Sequence, residues 1–358
     1  MVLDVASSDN ASIHNASTDD ASGVALAAVG PWLVANVKGV VAPLRLTLIA
    51  GGRSNLTFVV DDAAGYRFVL RRPPLGRLLP SAHDMAREHR ILLALGSTVV
   101  PVPKILGFCD DAAVSDRPFY VMEFVDGQIF RTIDDALSIQ PTDRTAISES
   151  LTDVLASLHS LDVNAIGLGG LGRHDGYIAR QLGRWHQQFT ASKLREVPLV
   201  DAVHNKLAKR IPTQQAVSVV HGDYRLDNTM IGAKYRVAAV LDWEICTLGD
   251  PLADIGMLTV YSPTADDANP PLGSAATMAP GFLTPTQMTN RYATQSPLDL
   301  SDMNFYVAFG FWKLACILDG VYTRYKSGAM GNDGFDFTAF DEQVQNLAVR
   351  AAAVLEHS

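Results

Sequence analysis

Cysteine is scarce in this chain: three residues in 358, at Cys109, Cys246 and Cys316. They stand too far apart for a metal motif or a disulfide framework, so a reducing cytoplasm is the simplest setting. A basic leader is missing too. Residues 1–24 are rich in Ala, Ser, Asp and Asn and contain Asp4, Asp9, Asp19 and Asp20 but no Lys or Arg. That composition excludes a secretory n-region and predicts a disordered acidic tail. No apolar run is expected to span a membrane; the nearest candidate, TVVPVPKILGF, is broken by two prolines and a lysine. Positive charge is in deficit, with 29 Lys and Arg against 38 Asp and Glu, and a formal net charge of −9 speaks against a nucleic-acid partner.

What remains is an ordinary globular composition, 48% hydrophobic and 19% charged. At 358 residues the chain exceeds one typical core, which predicts two lobes. Its most informative stretch is HGDYRLDN at 221–228, followed by the apolar run VAAVLDW that ends on Asp242 and Trp243. Phosphoryl transfer needs a carboxylate to take the proton of an attacking hydroxyl, and oxygen ligands to hold Mg²⁺ against nucleotide phosphates. The kinase pattern supplies these from an H-x-D-x-x-x-x-N loop and from an Asp at a nearby strand end. Here they are His221, Asp223 and Asn228, then Asp242. Val217–Val220 reads as a short strand delivering the loop, and 229–241 as a hairpin returning the chain so that Asn228 and Asp242 share one metal. The plainer alternative makes Asp223 and Asn228 turn residues and Asp242 a helix cap; four positions in register favour catalysis.

Two features differ from protein kinases. Gly222 stands where those enzymes carry an Arg, and Asp242-Trp243-Glu244 replaces D-F-G with no A-P-E after it. The block HGDYRLDN…VLDWEICTLGDPLADIG resembles the aminoglycoside phosphotransferase-like family of small-molecule kinases. More narrowly, it is similar to the branch that also occurs as the kinase domain fused to some acyl-CoA dehydrogenases. The resemblance covers about residues 30–355. It implies an α+β, two-lobed protein-kinase-like fold, with a small antiparallel-sheet N-lobe over 25–125 and a larger, mainly helical C-lobe over 126–358. It also implies ATP and Mg²⁺ as cofactors, with Asp223 catalytic and Asn228 and Asp242 on the metal.

In the N-lobe, LTLIAGGRSNLTFVVDD and YRFVLRRPP read as strands turning at 61–65. Gly51, Gly52, Ser54 and Asn55 match the family's G-G-x-S-N loop over the ATP phosphates, although a Gly-Gly pair alone is more often a plain turn. Alternation puts Val69 and Arg71 on one strand face and Phe68 and Leu70 on the other. Arg71 thus takes the place of the usual phosphate-gripping Lys, with Arg72 as the alternative cation. Ser81–Asp84 reads as a helix start, and Glu88 on that helix is either the partner of Arg71 or a solvated surface residue. The backbone of Glu123, Phe124 and Val125 is expected to meet adenine, and Gly127 to turn into the C-lobe.

Between 160 and 210, eight Lys or Arg face four Asp or Glu, an excess of cations in an acidic chain. Most such residues form solvated faces; the functional reading is a basic wall of Arg173, His174, Arg180 and Arg184 beside an anionic or neutral acceptor. His159, Asp250 and Asp254 read as structural support. FYVAFGFWKLACILDGVYTRYKSG reads as a long, largely buried helix, and Lys313, Arg324 and Lys326 near it read as exposed stems that could also add to an anionic pocket. SPTADDANPPLGSAATMAPG reads as a mobile loop. The expected activity is transfer of the ATP γ-phosphate to a small-molecule hydroxyl, with a hydroxyacyl-CoA as one candidate acceptor. The rivals are an aminoglycoside phosphotransferase and a nucleotide-binding pseudokinase acting through partner contacts.

Overall fold

The computed structural model describes residues 23–50, 55–75, 84–268, 270–272, 275–328 and 336–356. The acidic tail, Gly51, Gly52, Ser54 and the expected helix start at 81–83 lie outside them. The described chain divides into two compact units. The first runs to Gly127 and takes back Ala238–Glu244; the second holds Gln128–Val237 and the chain from Ile245 onward. The first unit thus ends at Gly127 and includes Asp242.

The first unit is built on an antiparallel sheet of five strands: β1 (Arg45–Ala50), β2 (Leu56–Asp61), β3 (Arg67–Arg72), β4 (Ile105–Cys109) and β5 (Phe119–Glu123). Their order is β1-β2-β3-β5-β4. Asp62 makes the β2–β3 turn by accepting from the amides of Ala64 and Tyr66 at 2.8 and 2.7 Å. Strand alternation places Phe68 and Leu70 in a core with Phe58, Val60 and Val121 and with Val29 and Leu33 of helix α1 (Leu26–Asn36). Helix α1 was not expected: LAAVGPWLVAN has neither a side-chain N-cap nor an acidic first turn to announce it. Helix α2 (Met85–Leu95) is capped by Asp84, which accepts from the Arg87 amide at 3.0 Å.

The second unit is mainly helical: α3 (Ile133–Leu137), α4 (Pro141–His159), α5 (Tyr177–Ser192), α6 (Pro198–Ala208), α7 (Leu252–Val260), α8 (Pro285–Ala293), α9 (Met303–Lys326) and α10 (Phe340–Glu356). β6 (Ser218–Val220) pairs antiparallel with β9 (Thr247–Gly249). Between them lie the short strands β7 (Thr229–Ile231) and β8 (Val237–Val240). The Gly232 amide donates to the Arg236 carbonyl at 2.8 Å and closes the expected turn after β7.

Two expectations are corrected here. By length and composition α9 is apolar enough to cross a membrane, where no such run was expected, while its burial within this unit is as the sequence predicts. Gly256 of α7 lets the two helices meet, since a Cβ there would lie 2.6 Å from the Tyr306 carbonyl oxygen. The loop expected to be mobile is tied down in its described part. Pro280 and Gly281 carbonyls accept from Arg144 Nε at 2.7 Å and Thr145 Oγ1 at 2.6 Å, and Arg350 pairs with Asp267 at 2.9 Å.

Candidate active site

In the first unit, Arg71 stands on β3 opposite Tyr120 of β5, on the face away from the α1 core. Its Nε lies 3.3 Å from Glu88 Oε1 and its Nη2 2.8 Å from Asp242 Oδ1. Glu88 is buried, not solvated, and Asn55 Nδ2 donates to its Oε2 at 3.4 Å. Burial opposes the Arg71 charge, but Glu88, Tyr120, Asp242 and Glu244 outweigh it and keep the guanidinium firmly protonated. Arg72 is a poor alternative: it is buried on the other strand face and spends Nη2 on Asp116 at 2.8 Å. Asp242 itself sits in the left-handed region, φ 61°, directly before buried Trp243. Burial, then the Asp242 charge, push Glu244 up to about 7, so acid is in excess around the single Arg71. Val69 is buried beside Val59 and Met122. The Glu123 amide already donates to the Lys104 carbonyl at 2.8 Å, so of the expected adenine-binding segment Phe124 and Val125 lie beyond the strand end.

The second unit carries the H-x-D-x-x-x-x-N loop, and its main chain is gripped from several sides. Asp254 of α7 accepts from the His221 amide at 2.6 Å and the Gly222 amide at 2.9 Å. His159 of α4 faces the same carboxylate at 3.4 Å and pairs with the Tyr292 hydroxyl at 2.8 Å. Burial works against an ionised Asp254, yet the His159 hydrogen bond, the nearby His159 and His221 rings and the Gly222 amide prevail and hold its carboxyl below the usual value. Asp250 next to it is equally structural, accepting from Tyr306 Oη at 2.7 Å and the Leu252 amide at 3.1 Å. Gly222 explains its own identity. Its φ is +85°, and a Cβ would lie 3.0 Å from Ile245 Cδ1, so the Arg of protein kinases does not fit this peptide.

Asp223, 8% exposed, is held by Asn228, whose Nδ2 donates to the Asp223 carbonyl at 2.9 Å and to Oδ2 at 3.0 Å. Asp223 Oδ1 is buried and has no hydrogen-bond partner among the described residues. Because Asn228 turns its amino group to Asp223, its Oδ1 is the atom left for a cation. In the first unit, Asp242 accepts from Arg71 through Oδ1. Such oxygen donors fit Mg²⁺, which takes one or two protein ligands and completes its shell with phosphate and water. Among the described residues no group of three or more His, Cys, Asp or Glu side chains forms a closed metal cage.

Lys313 is the residue that the sequence reading misplaced. It is 3% exposed, in the middle of α9, and its Nζ donates to the Gly222 carbonyl at 2.8 Å. Burial pushes its ammonium down, while Asp223 and Asp254 pull it back up. The signal was present: one Lys inside the otherwise apolar run FYVAFGFWKLACIL. Of the proposed basic wall, Arg184 lies over the Trp185 ring at 5.5 Å, and Lys313 Nζ is 5.8 Å from the same ring. Arg180 Nη2 donates to the Arg173 carbonyl at 3.2 Å, and His174 pairs with the Gly169 carbonyl at 2.7 Å, so these two side chains serve the chain just before α5. Lys326 meets the Tyr322 hydroxyl at 2.8 Å at the end of α9.

Residues 45–279 match the model of a phosphotransferase enzyme family. Acyl-CoA dehydrogenase family member 11 of Rattus norvegicus is 38% identical over 314 residues, 86% of this chain and 40% of the relative. Family member 10 of Mus musculus is 37% identical over 291 residues, 80% of this chain and 27% of the relative. The chain therefore spans well under half the length of either relative. A solved Ralstonia eutropha protein, assigned as an aminoglycoside phosphotransferase, superposes with a TM-score of 0.78 at 32% identity, covering 92% of this chain and 98% of that one. The α+β, protein-kinase-like fold expected from the sequence is the fold that is found.

Proposed function

Because the chain belongs to the phosphotransferase enzyme family, we propose that it moves the γ-phosphate of ATP to a hydroxyl of a small molecule. The observation that carries this reading is buried Asp223, oriented by Asn228 and left with one unpartnered oxygen where an acceptor hydroxyl would donate. Asp223 takes or orients the hydroxyl proton. Asn228 and Asp242 would hold Mg²⁺, which neutralises phosphate charge when bound. Arg71, steadied by Glu88, would exchange its Asp242 contact for the nucleotide phosphates. Gly51, Gly52, Ser54 and Asn55 would cover those phosphates, with Val69 against adenine and the chain at Phe124 and Val125 pairing with its edge.

For the acceptor we favour a hydroxyacyl-CoA or another anionic or neutral hydroxylated metabolite. The relatives named as acyl-CoA dehydrogenase family members support it, as does Arg184 over the Trp185 ring. An aminoglycoside is the second reading, favoured by the Ralstonia likeness and opposed by that cation. Three buried free cysteines suit a cytoplasmic setting. The test is an ATP-consumption screen over hydroxyacyl-CoA, sugar, choline-like and aminoglycoside panels, repeated with Asp223→Asn. We expect turnover to fall by about 10²–10⁴-fold in the variant with the fold retained. Near-wild-type turnover in Asp223→Asn would refute the assignment, and productive aminoglycoside turnover would promote the second reading.

A further inference from the structure

The Tyr261 hydroxyl lies in an unusual setting. Tyr261 follows directly on α7, its amide still bonded to the Met257 carbonyl at 2.9 Å. It is seven residues after Asp254, and residues seven apart share one helix face. The helix whose Asp254 grips the His221 and Gly222 amides thus also directs Tyr261 at the catalytic loop. Arg225, two residues after Asp223, lies over the Tyr261 ring at 5.0 Å and pairs with Asp227. Tyr261 is 8% exposed, and its Oη, like Asp223 Oδ1, is buried with no hydrogen-bond partner among the described residues. The phenol lies close enough to Asp223 and Arg225 to interact with both, yet neither it nor Asp223 Oδ1 has a partner in full hydrogen-bond geometry, and such buried atoms are costly to a fold unless a ligand satisfies them.

We propose that Tyr261 is the second protein contact of the acceptor hydroxyl, its phenol O–H donating to the acceptor oxygen while that oxygen donates its own proton to Asp223 Oδ1. The inference rests on the phosphotransferase reading and adds a catalytic residue to it. With its carbon, its proton and the Tyr261 bond placed, the acceptor oxygen has one lone pair left to aim at the γ-phosphorus. As that O–P bond forms, the proton passes to Asp223, the bond from phosphorus to the β–γ bridging oxygen breaks, and ADP leaves. Burial and the Asp223 charge push the Tyr261 phenol up against the pull of Arg225, so it stays a donor. The arrangement selects a group that both donates and accepts. A hydroxyl does; a protonated amine only donates, and would leave the Tyr261 hydroxyl unsatisfied.

Tyr261→Phe removes one oxygen and keeps the ring under Arg225. Turnover is measured as phosphate release from Mg-ATP to water and as transfer to 3-hydroxybutyryl-CoA, beside thermal melting and Asp223→Asn. We expect an unchanged or raised melting temperature, because an orphaned buried hydroxyl is gone. The apparent ATP constant should stay within about twofold while kcat/KM for the acceptor falls by about ten- to a hundredfold. Wild-type turnover in Tyr261→Phe with a silent Asp223→Asn overturns the Tyr261 role and leaves the phosphotransferase reading standing. Turnover that falls together with the melting temperature marks a packing role and also overturns it. A wild type that transfers phosphate to neither water, the thioester nor any acceptor of the panels above overturns both.

Discussion

The two charged clusters of this protein are built on opposite plans. Around Arg71 the bonds run from side chain to side chain, with one cation between Glu88 and Asp242 and a further carboxyl, Glu244, pushed up to about 7 beside them. Around Asp223 they run from buried side chains to the main chain: Asp254 to two amides, Lys313 and Asn228 to carbonyls. Side-chain ion pairs can exchange partners when a phosphate or a metal arrives, because each end moves on its own torsions. A peptide clamped at both its N–H and its C=O cannot. The first cluster suits a charged ligand that comes and goes; the second suits an atom that must stay in place.

Breaking the clamp should have the largest effect. Asp254→Ala leaves the His221 and Gly222 amides unpaired in the core, and we expect a loss of about 3–5 kcal/mol in denaturant unfolding, with phosphotransfer lost as well. The Asp254 carboxyl is held below its ordinary 3.8, so its stabilisation is complete above that pH and is lost as pH falls through the lower folded value. The gap between wild type and Asp254→Asn should therefore be widest near neutrality and narrow below pH 4. A pH-independent gap would mean that Asp254 acts by shape alone.

In the ion-paired cluster the fold should survive and ligand binding should suffer. Asp242→Ala is expected to weaken Mg²⁺-dependent ATP binding by about a hundredfold in calorimetry, and Asn228→Ala by less, because a carboxylate holds a hard cation better than an amide. A double variant that binds Mg-ATP normally would place the metal elsewhere. The smallest effect separates a working pair from two independent residues. Arg71→Ala and Glu88→Ala should each raise the apparent ATP constant, and the double variant should fall short of the sum by about 1–2 kcal/mol. Additivity would return Glu88 to a role in packing.

How much of this was legible follows from where the constraint lies. That Asp223 and Asn228 meet was readable because one short loop fixes their spacing, and spacing is what a sequence records. The β2–β3 face split was readable from alternation alone, since Phe68 and Leu70 pack on α1 while Arg71 does not. Lys313 was misread because its partner, Gly222, lies 91 residues away and nothing local distinguishes a buried ammonium from a surface one. The bonds that hold the end of the Pro- and Ala-rich loop were hidden for the same reason, since Arg144 and Thr145 reach it from 136 residues away. The α1 helix was missed because its sequence has no capping signal.

By itself, then, the sequence determined the chemistry offered: one loop with a carboxylate and an amide, one strand-end carboxylate, and one cation on a strand face. These follow from residue type and from periods of two and of one loop, which are local. Only the tertiary structure decided that Arg71 and not Arg72 meets Asp242, and that Gly222 needs its glycine because Ile245 closes over it. It alone decided that a lysine of α9 clamps the H-x-D-x-x-x-x-N loop, and that the Tyr261 hydroxyl has no hydrogen-bond partner among the described residues. Each of these depends on which distant surfaces exclude water together, and burial is a property of the packed chain that no local pattern carries.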